Sequence, residues 1–286
     1  MSPQWAVIES GRCLSCYDPP CVEACPVHVD VPGFIRRVKT GDLRGASQVL
    51  RENLPFPNTC ALVCPHLGLC EGACCIKKIT EPVNIGALQH FVAELGEVTR
   101  SEEVMGETGK RVAIIGSGPA GLAAAKQLGE LGHDVTIFEK GSKPGGLLTS
   151  GLPAYRLPRD VPTEEIEEIK KGLDLKAGER INKVDELLEK FDAALIATGA
   201  RESLSLNIPG EELRGVVKGL DFIREFNRGR EQISKGKKVA VIGGGDVAID
   251  AARCAVRLNA ERVCVIYRRS FDEMPAYPLE IEEAKK

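Results

Sequence analysis

The 286-residue sequence carries 38 lysines and arginines against 41 aspartates and glutamates, a formal net charge of −3. That balance offers no basic field for nucleic acid, and no run approaches the roughly 18 apolar residues a membrane span needs. The content, 43% hydrophobic and 28% charged, is that of a globular chain long enough for about two domains. The opening MSPQWAVIESGRC has neither the positive start nor the apolar stretch of a secretory signal, so the chain is expected in the cytoplasm.

In chain order, the first hundred residues read as short helices joined by cysteine-bearing loops. VPGFIRRVKTGDLRGASQVLREN places apolar residues at helical spacing and predicts two helices broken at Gly41-Asp42; NIGALQHFVAELGEV predicts another amphipathic helix. SEEVMGETGK has the composition of a linker. RVAIIG then reads as a strand, GSGPAG as a glycine-rich turn, LAAAKQLGEL as a helix ending near Gly132, and HDVTIFEK as a second strand. A loop rich in Gly and Pro follows. TEEIEEIKKGL predicts a charged helix capped by Thr163, with Glu164 and Glu165 in its first turn. FDAALIATGA predicts a buried strand. A second strand–helix–strand unit comes last: KKVAVIG, then GGDVAIDAARCAVRL closed by Asn259, then ERVCVIYRR.

Nine of the eleven cysteines lie between Cys13 and Cys75; Cys254 and Cys264 stand apart, on an apolar helix and strand, and read as buried small hydrophobes. In a reducing compartment such a cluster predicts metal ligands or redox centres rather than disulfides. The first group is Cys13-x2-Cys16-x4-Cys21-x3-Cys25-Pro26. The second is Cys60-x3-Cys64-Pro65-x4-Cys70-x3-Cys74, with Cys75 adjacent. A proline after the last cysteine is the habit of ferredoxin-type runs. Zinc held by four thiolates competes for a single CxxC pair, but two long groups favour iron–sulfur, and nine thiols suffice for the eight ligands of two [4Fe–4S] clusters.

The turn Gly116-Ser117-Gly118-Pro119-Ala120-Gly121 fits GxGxxG in the context that gives the pattern meaning, after a strand and before a helix. Gly116 makes the tight turn, Gly118 lets backbone approach a pyrophosphate, and Gly121 lets helix and strand pack closely. Glu139, followed by Lys140, ends the next strand where ribose hydroxyls are bound. The second turn, Gly243-Gly244-Gly245-Asp246-Val247-Ala248, keeps the GxGxxA form, but its second strand ends in Arg268 and Arg269. Arginines there suit the 2′-phosphate of NADP(H). The first unit therefore reads as the FAD site and the second as the NADPH site.

The stretches GRCLSCYDPPCVEACP, CALVCPHLGLCEGACC, PVNIGALQHF, VAIIGSGPAGLAAA, GGLLTSGLPAYRLP, IATGA, VAVIGGGDVAIDAAR and YRRSFDEMPA together resemble the glutamate synthase small-subunit family of NADPH-dependent FAD and iron–sulfur oxidoreductases. Its relatives include the N-terminal part of dihydropyrimidine dehydrogenase and the large subunit of NADH-dependent ferredoxin:NADP oxidoreductase. The resemblance implies one cluster on Cys13, Cys16, Cys21 and Cys74, and another on Cys25, Cys64, Cys70 and Gln89. Spacing alone selects Cys60 in place of Gln89. It also implies that Gly146, Leu147, Thr198 and Gly199 line the flavin. Family members continue beyond the position of Lys286, so the second nucleotide unit is expected to be incomplete as written, finished by further chain or by a separate polypeptide.

The expected fold class is thus an α-helical iron–sulfur domain (1–105) followed by α/β, with two Rossmann-like dinucleotide-binding units: an FAD domain (106–205) and an incomplete NADPH domain (206–286). The expected function is electron transfer between NADP(H), FAD and two clusters, in either direction, with a partner subunit. Such chemistry asks for no catalytic acid, base or nucleophile, and His28, His66, His90 and His133 read as structural or exposed. A non-catalytic relay or assembly subunit, and part of an electron-bifurcating complex, are the alternatives.

Overall fold

Proline and aspartate set the helix starts at the front of the chain. The computed structural model describes residues 1–96, 105–230 and 236–286, so part of the expected linker and residues 231–235 lie outside the described residues. Six α-helices come first: α1 (Pro3–Ser10), α2 (Pro20–Glu23), α3 (Val31–Thr40), α4 (Leu43–Asn53), α5 (Pro57–Val63) and α6 (Ile85–Leu95). Helices α1, α2, α3 and α5 carry proline in the first turn, where its missing N–H leaves nothing unpaired. Asp30, Asp42 and Asn84 cap α3, α4 and α6 by accepting from the N–H groups of Gly33, Gly45 and Ala87 at 2.9, 2.9 and 3.0 Å. The break falls at Gly41-Asp42 as expected. The apolar faces of these helices meet in one core: Phe34, Ile35 and Val38 from α3, Leu50 from α4, and Leu88, Phe91 and Val92 from α6. Cys21 and Cys70 are buried in that core, and Cys13, Cys25, Cys60 and Cys74 pack against it. The cysteine loops are therefore fixed by a packed interior as well as by anything they bind.

Next come β1 (Arg111–Ile115), α7 (Pro119–Glu130), β2 (Asp134–Glu139), α8 (Leu147–Ser150), α9 (Asp160–Lys170), β3 (Asp174–Ala177), α10 (Asp185–Leu188) and β4 (Ala193–Ile196). The strands form a parallel sheet in the order β3-β2-β1-β4. Two expectations need correction. Helix α9 starts at Asp160, and Thr163 sits inside it, its hydroxyl donating to the Arg159 carbonyl at 2.6 Å instead of capping. Strand β4 was expected to be buried. Among the described residues it is an edge strand paired with β1 alone, and Ile196 is 63% exposed.

The last elements are α11 (Gly219–Asn227), β5 (Lys238–Ile242), α12 (Asp246–Arg257), β6 (Arg262–Ile266) and α13 (Pro278–Lys285), with β5 and β6 paired in parallel. Asn259 follows α12 at φ 62°, donating its N–H to Val256 O, as a left-handed helix stop should. Cys254 is buried as expected, but Cys264 is exposed, because β6 alternates and only Val263 and Val265 turn inward.

The chain divides into two compact units, residues 1–144 with 157–197, and residues 145–156 with 198–286. The excursion 145–156 is tied into the second unit by polar contacts. Arg156 pairs with Asp250 at 2.7 Å and Glu280 at 3.0 Å, and Tyr155 donates to Asp250 at 3.2 Å. Asn227 Nδ2 donates to the carbonyls of Ser150 and Leu152, both at 2.9 Å. The Arg156 and Asp250 side chains are 11% and 4% exposed, so Arg156→Ala strands a buried carboxylate. It is expected to cost about 3–5 kcal/mol, read as a lower urea midpoint for the second unit.

Candidate functional site

At the first glycine-rich turn the chain leaves β1 with Gly116 at φ 108°, passes through extended Gly118, and enters α7 with Pro119 at its first position. A Cβ on Gly121 would lie 2.0 Å from the Gly116 carbonyl oxygen, so the loop folds back onto its own helix with no room for a methyl. Glu139 is buried at the end of β2. Its Oε2 accepts from the Ser117 N–H (3.0 Å) and Oγ (2.7 Å), and its Oε1 accepts from the Gly141 N–H (2.7 Å). The carboxylate read from sequence as a ribose partner is thus also the staple holding the loop to the sheet. Ser117 and Gly141 were missed as site residues; a hydroxyl inside the turn and a glycine two residues past the strand-end acid are the signals. Lys140 is exposed beside them.

These residues belong to the first unit, whereas Gly146, Leu147, Thr198 and Gly199 belong to the second. There Gly146 precedes α8, which starts at Leu147. At the second glycine turn, Gly243 has φ 139° and extended Gly245 precedes α12. Ala248 stands in the place of Gly121, and a Cβ built on Gly243 would lie 3.3 Å from its methyl. Asp246 accepts the Tyr277 N–H at 2.9 Å, fixing the stretch that leads into α13. Val247 is 47% exposed at the start of α12. Arg268 and Arg269 follow β6, exposed and without an ion pair among the described residues, so their charge is free for a ligand.

The cysteines form two neighbourhoods. Burial pushes the Cys21 thiol up to about 12, and Cys13, Cys74 and Cys16 push it the same way. Cys16 is raised by burial and by Cys75 and Cys13. In the other neighbourhood, burial pushes Cys70 up to about 12, helped by Glu71, Cys64 and Cys25; burial and Cys25 raise Cys64. Cys60 also rises to about 12, from burial, Cys64, Glu165 and Cys25. Cys13, Cys16, Cys21, Cys74 and Cys75 thus act on one another in one neighbourhood, and Cys25, Cys60, Cys64 and Cys70 in the other. Gln89 is buried on α6, its Nε2 donating to the Pro57 carbonyl at 2.7 Å at the start of α5. That bond fixes the amide and leaves Oε1 as its acceptor end.

Crowded, buried thiols that raise one another are poor thiolates until cationic metal balances them. A zinc ion draws its sulfurs to about 2.3 Å from one centre. Among the described residues no group of three or more His, Cys, Asp or Glu side chains is gathered that way. Thiolates are the donors that iron–sulfur clusters take, and in its chemistry this set of thiols suits such a cluster. The histidines stand outside this chemistry. His90 Nδ1 meets Asn58 Oδ1 at 2.6 Å, His133 Nδ1 meets Thr108 at 2.7 Å, and His28 is exposed. Burial lowers His66, whose Nε2 is buried without a hydrogen-bond partner.

Residues 1–101 match the family described as dihydropyrimidine dehydrogenase domain II, 4Fe-4S cluster, and residues 110–285 match the pyridine nucleotide-disulphide oxidoreductases. The chain belongs to the iron–sulfur branch of these oxidoreductases. It is 37% identical to the NAD-dependent dihydropyrimidine dehydrogenase subunit PreT of Escherichia coli O157:H7, over 100% of this chain and 70% of that one. It is 33% identical to the glutamate synthase [NADPH] small chain of Escherichia coli K12, over 98% and 63%. The fold is similar to that of Mycobacterium tuberculosis FprA in complex with NADPH, at a TM-score of 0.55 and 27% identity, over 62% of this chain and 47% of that one. The chain spans only 42% of the length of the beta subunits that match it at 38% identity. Among the described residues, no helix is long and apolar enough to cross a membrane. These matches bear out the resemblance drawn from the motifs, and support iron–sulfur, FAD and NADP chemistry in this family.

Proposed function

We propose that this chain is the pyridine-nucleotide-linked subunit of a cytoplasmic electron-transfer complex, exchanging electrons between NADP(H), FAD, two [4Fe–4S] clusters and a partner subunit. The observation that carries this reading is the meeting of two thiol neighbourhoods, of five and four cysteines, and a stapled dinucleotide loop within one compact unit. In this reading residues 1–105 hold the clusters, 106–205 begin the FAD domain and 206–286 contribute to the NADPH domain. Cys13, Cys16, Cys21 and Cys74 take one cluster; Cys25, Cys64, Cys70 and Gln89 take the other. When bound, FAD supplies the exchange between electron pairs and single electrons. The chain's own work is to cradle the pyrophosphate on the α7 N-terminus, to hold the loop by Glu139, and to keep thiolates desolvated on a rigid core. A partner that accepts the electrons fits the subunit names of the relatives.

Anaerobically purified chain is expected to carry about eight irons and one flavin and to reduce a viologen dye with NADPH. Clusters without NADPH-driven turnover would leave only a relay subunit. Nucleotide choice is carried by the strand-end pair. The double substitution of Arg268 and Arg269 by alanine is expected to raise KM for NADPH about ten- to a hundredfold. That is the loss of about 1.5–3 kcal/mol in charge-assisted hydrogen bonds, and KM for NADH should stay unchanged. Steady-state kinetics with both nucleotides checks it; an equal effect on NADH would show that the pair is only a solvated strand end.

A further inference from the structure

Helix α5 leaves its start uncapped by its own neighbours. Phe56, at the cap position, is buried and offers no hydrogen bond, although a serine or aspartate there would have served locally. The cap comes instead from α9. Glu165, 5% exposed, accepts the Asn58 N–H at 2.6 Å, the Thr59 N–H at 3.1 Å and the Thr59 hydroxyl at 2.5 Å. One turn along α9, Glu168 receives Arg51 Nη1 from α4 on both oxygens, at 3.0 and 3.3 Å. From the other side, Gln89 and His90 of α6 hold Pro57 and Asn58 of the same turn. Helix α5 carries Cys60 and ends at Cys64. Helix α9 in turn packs on α7, the helix opened by the first glycine loop.

Burying this carboxylate has a cost. Desolvation pushes Glu165 up, while the donors of Thr59 and Asn58 and the charge of Arg51 pull it back. A local cap would avoid that desolvation. What a local cap lacks is dependence on register, since Glu165 satisfies α5 only when the cysteine-bearing helices and the nucleotide-binding sheet are correctly docked.

We propose that Glu165 is a positioning residue for electron transfer within the chain, locking the start of α5, with Cys60 and Cys64, at a fixed distance from the flavin loop. The inference rests on the reading above that the second thiol neighbourhood holds a cluster and the first loop holds FAD. With FAD and the cluster bound, what Glu165 would set is the separation across which a single electron would pass between them, a transfer that would form and break no covalent bond within the chain.

The test compares full-length, anaerobic wild type with Glu165→Ala and Glu165→Gln. Hydrogen exchange at the Asn58 and Thr59 amides is expected to speed up at least tenfold in the alanine variant and to stay unchanged at Ala113 in β1. In stopped flow after mixing with NADPH, counted per cluster-loaded molecule, cluster reduction should slow at least tenfold. Flavin reduction should stay within twofold of wild type. The glutamine variant, whose amide oxygen still accepts one of the donors, should fall between. Faster exchange with cluster reduction at the wild-type rate overturns the proposal and leaves Glu165 a helix cap only; so does wild-type behaviour in both measurements. Wild type without iron or flavin would sink the underlying reading and the proposal with it, even with the exchange changed as expected, which tells the two failures apart.

Discussion

Cys21→Ser is expected to cost the chain about four of its roughly eight irons and to abolish one of two reduced-cluster signals in paramagnetic resonance. Cys21 is buried in the helical core, so its thiolate cannot be replaced by solvent, and Cys13, Cys16 and Cys74 all act on it. A serine hydroxyl there is a harder, far less acidic ligand, and the three remaining thiolates would face water or nothing. Cys25, Cys64 and Cys70 share their two chain segments with the first set but act on one another in the other neighbourhood, which should keep its iron. In that second neighbourhood the decisive pair is Cys60→Ser and Gln89→Leu. Cys60 sits beside the Glu165 carboxylate, a negative charge that opposes its ionisation, whereas Gln89 presents a neutral, fixed amide oxygen. Iron is therefore expected to survive Cys60→Ser and to fall by about half in Gln89→Leu. Iron and acid-labile sulfide assays decide it, and the reverse pattern would make Cys60 the eighth ligand.

What the sequence disclosed was what depends on neighbours in the chain. The Gly41-Asp42 break, the two glycine turns and the acid ending β2 follow from spacing, because turn geometry and helix capping act over three or four residues. Long-range pairings left no such mark. Thr163 looked like a cap because it precedes two glutamates, yet Asp160 starts the helix and Glu165 is spent on residues more than a hundred positions away. Likewise the stretch 145–156 reads as a plain loop, and partners 75 or more residues away, among them Asp250, 94 residues from Arg156, show which unit it belongs to. The division of the thiols into two neighbourhoods came by resemblance; their spacing alone put Cys60 where the family pattern puts Gln89. The exposure of β4 and Cys264 depends on which flanks are covered, and no local pattern records that.

Gly121→Ala is expected to strip the flavin while leaving the second nucleotide unit folded. In an exposed helix the exchange would gain about 1 kcal/mol from backbone entropy. Here the new methyl would stand 2.0 Å from the Gly116 carbonyl oxygen and 3.3 Å from Ile114 Cγ2. Neither neighbour can yield easily: Ile114 is fully buried in β1, and the Gly116 N–H is bonded to the Phe138 carbonyl at 2.8 Å. Overpacking costs of about 1–3 kcal/mol exceed the entropy gain, so the loop must open. Opening carries the Ser117 N–H away from Glu139 and the α7 N-terminus away from where a pyrophosphate would rest. Affinity for FAD should drop tenfold or more, read from flavin fluorescence during reconstitution. Ala248→Gly supplies the control, because its methyl already fits against Gly243 and its removal costs only about 1 kcal/mol of helix propensity. FAD bound at wild-type strength by the Gly121 variant would mean that the first loop does not carry the dinucleotide. The assignment of the two nucleotides to the two turns would then have to be exchanged.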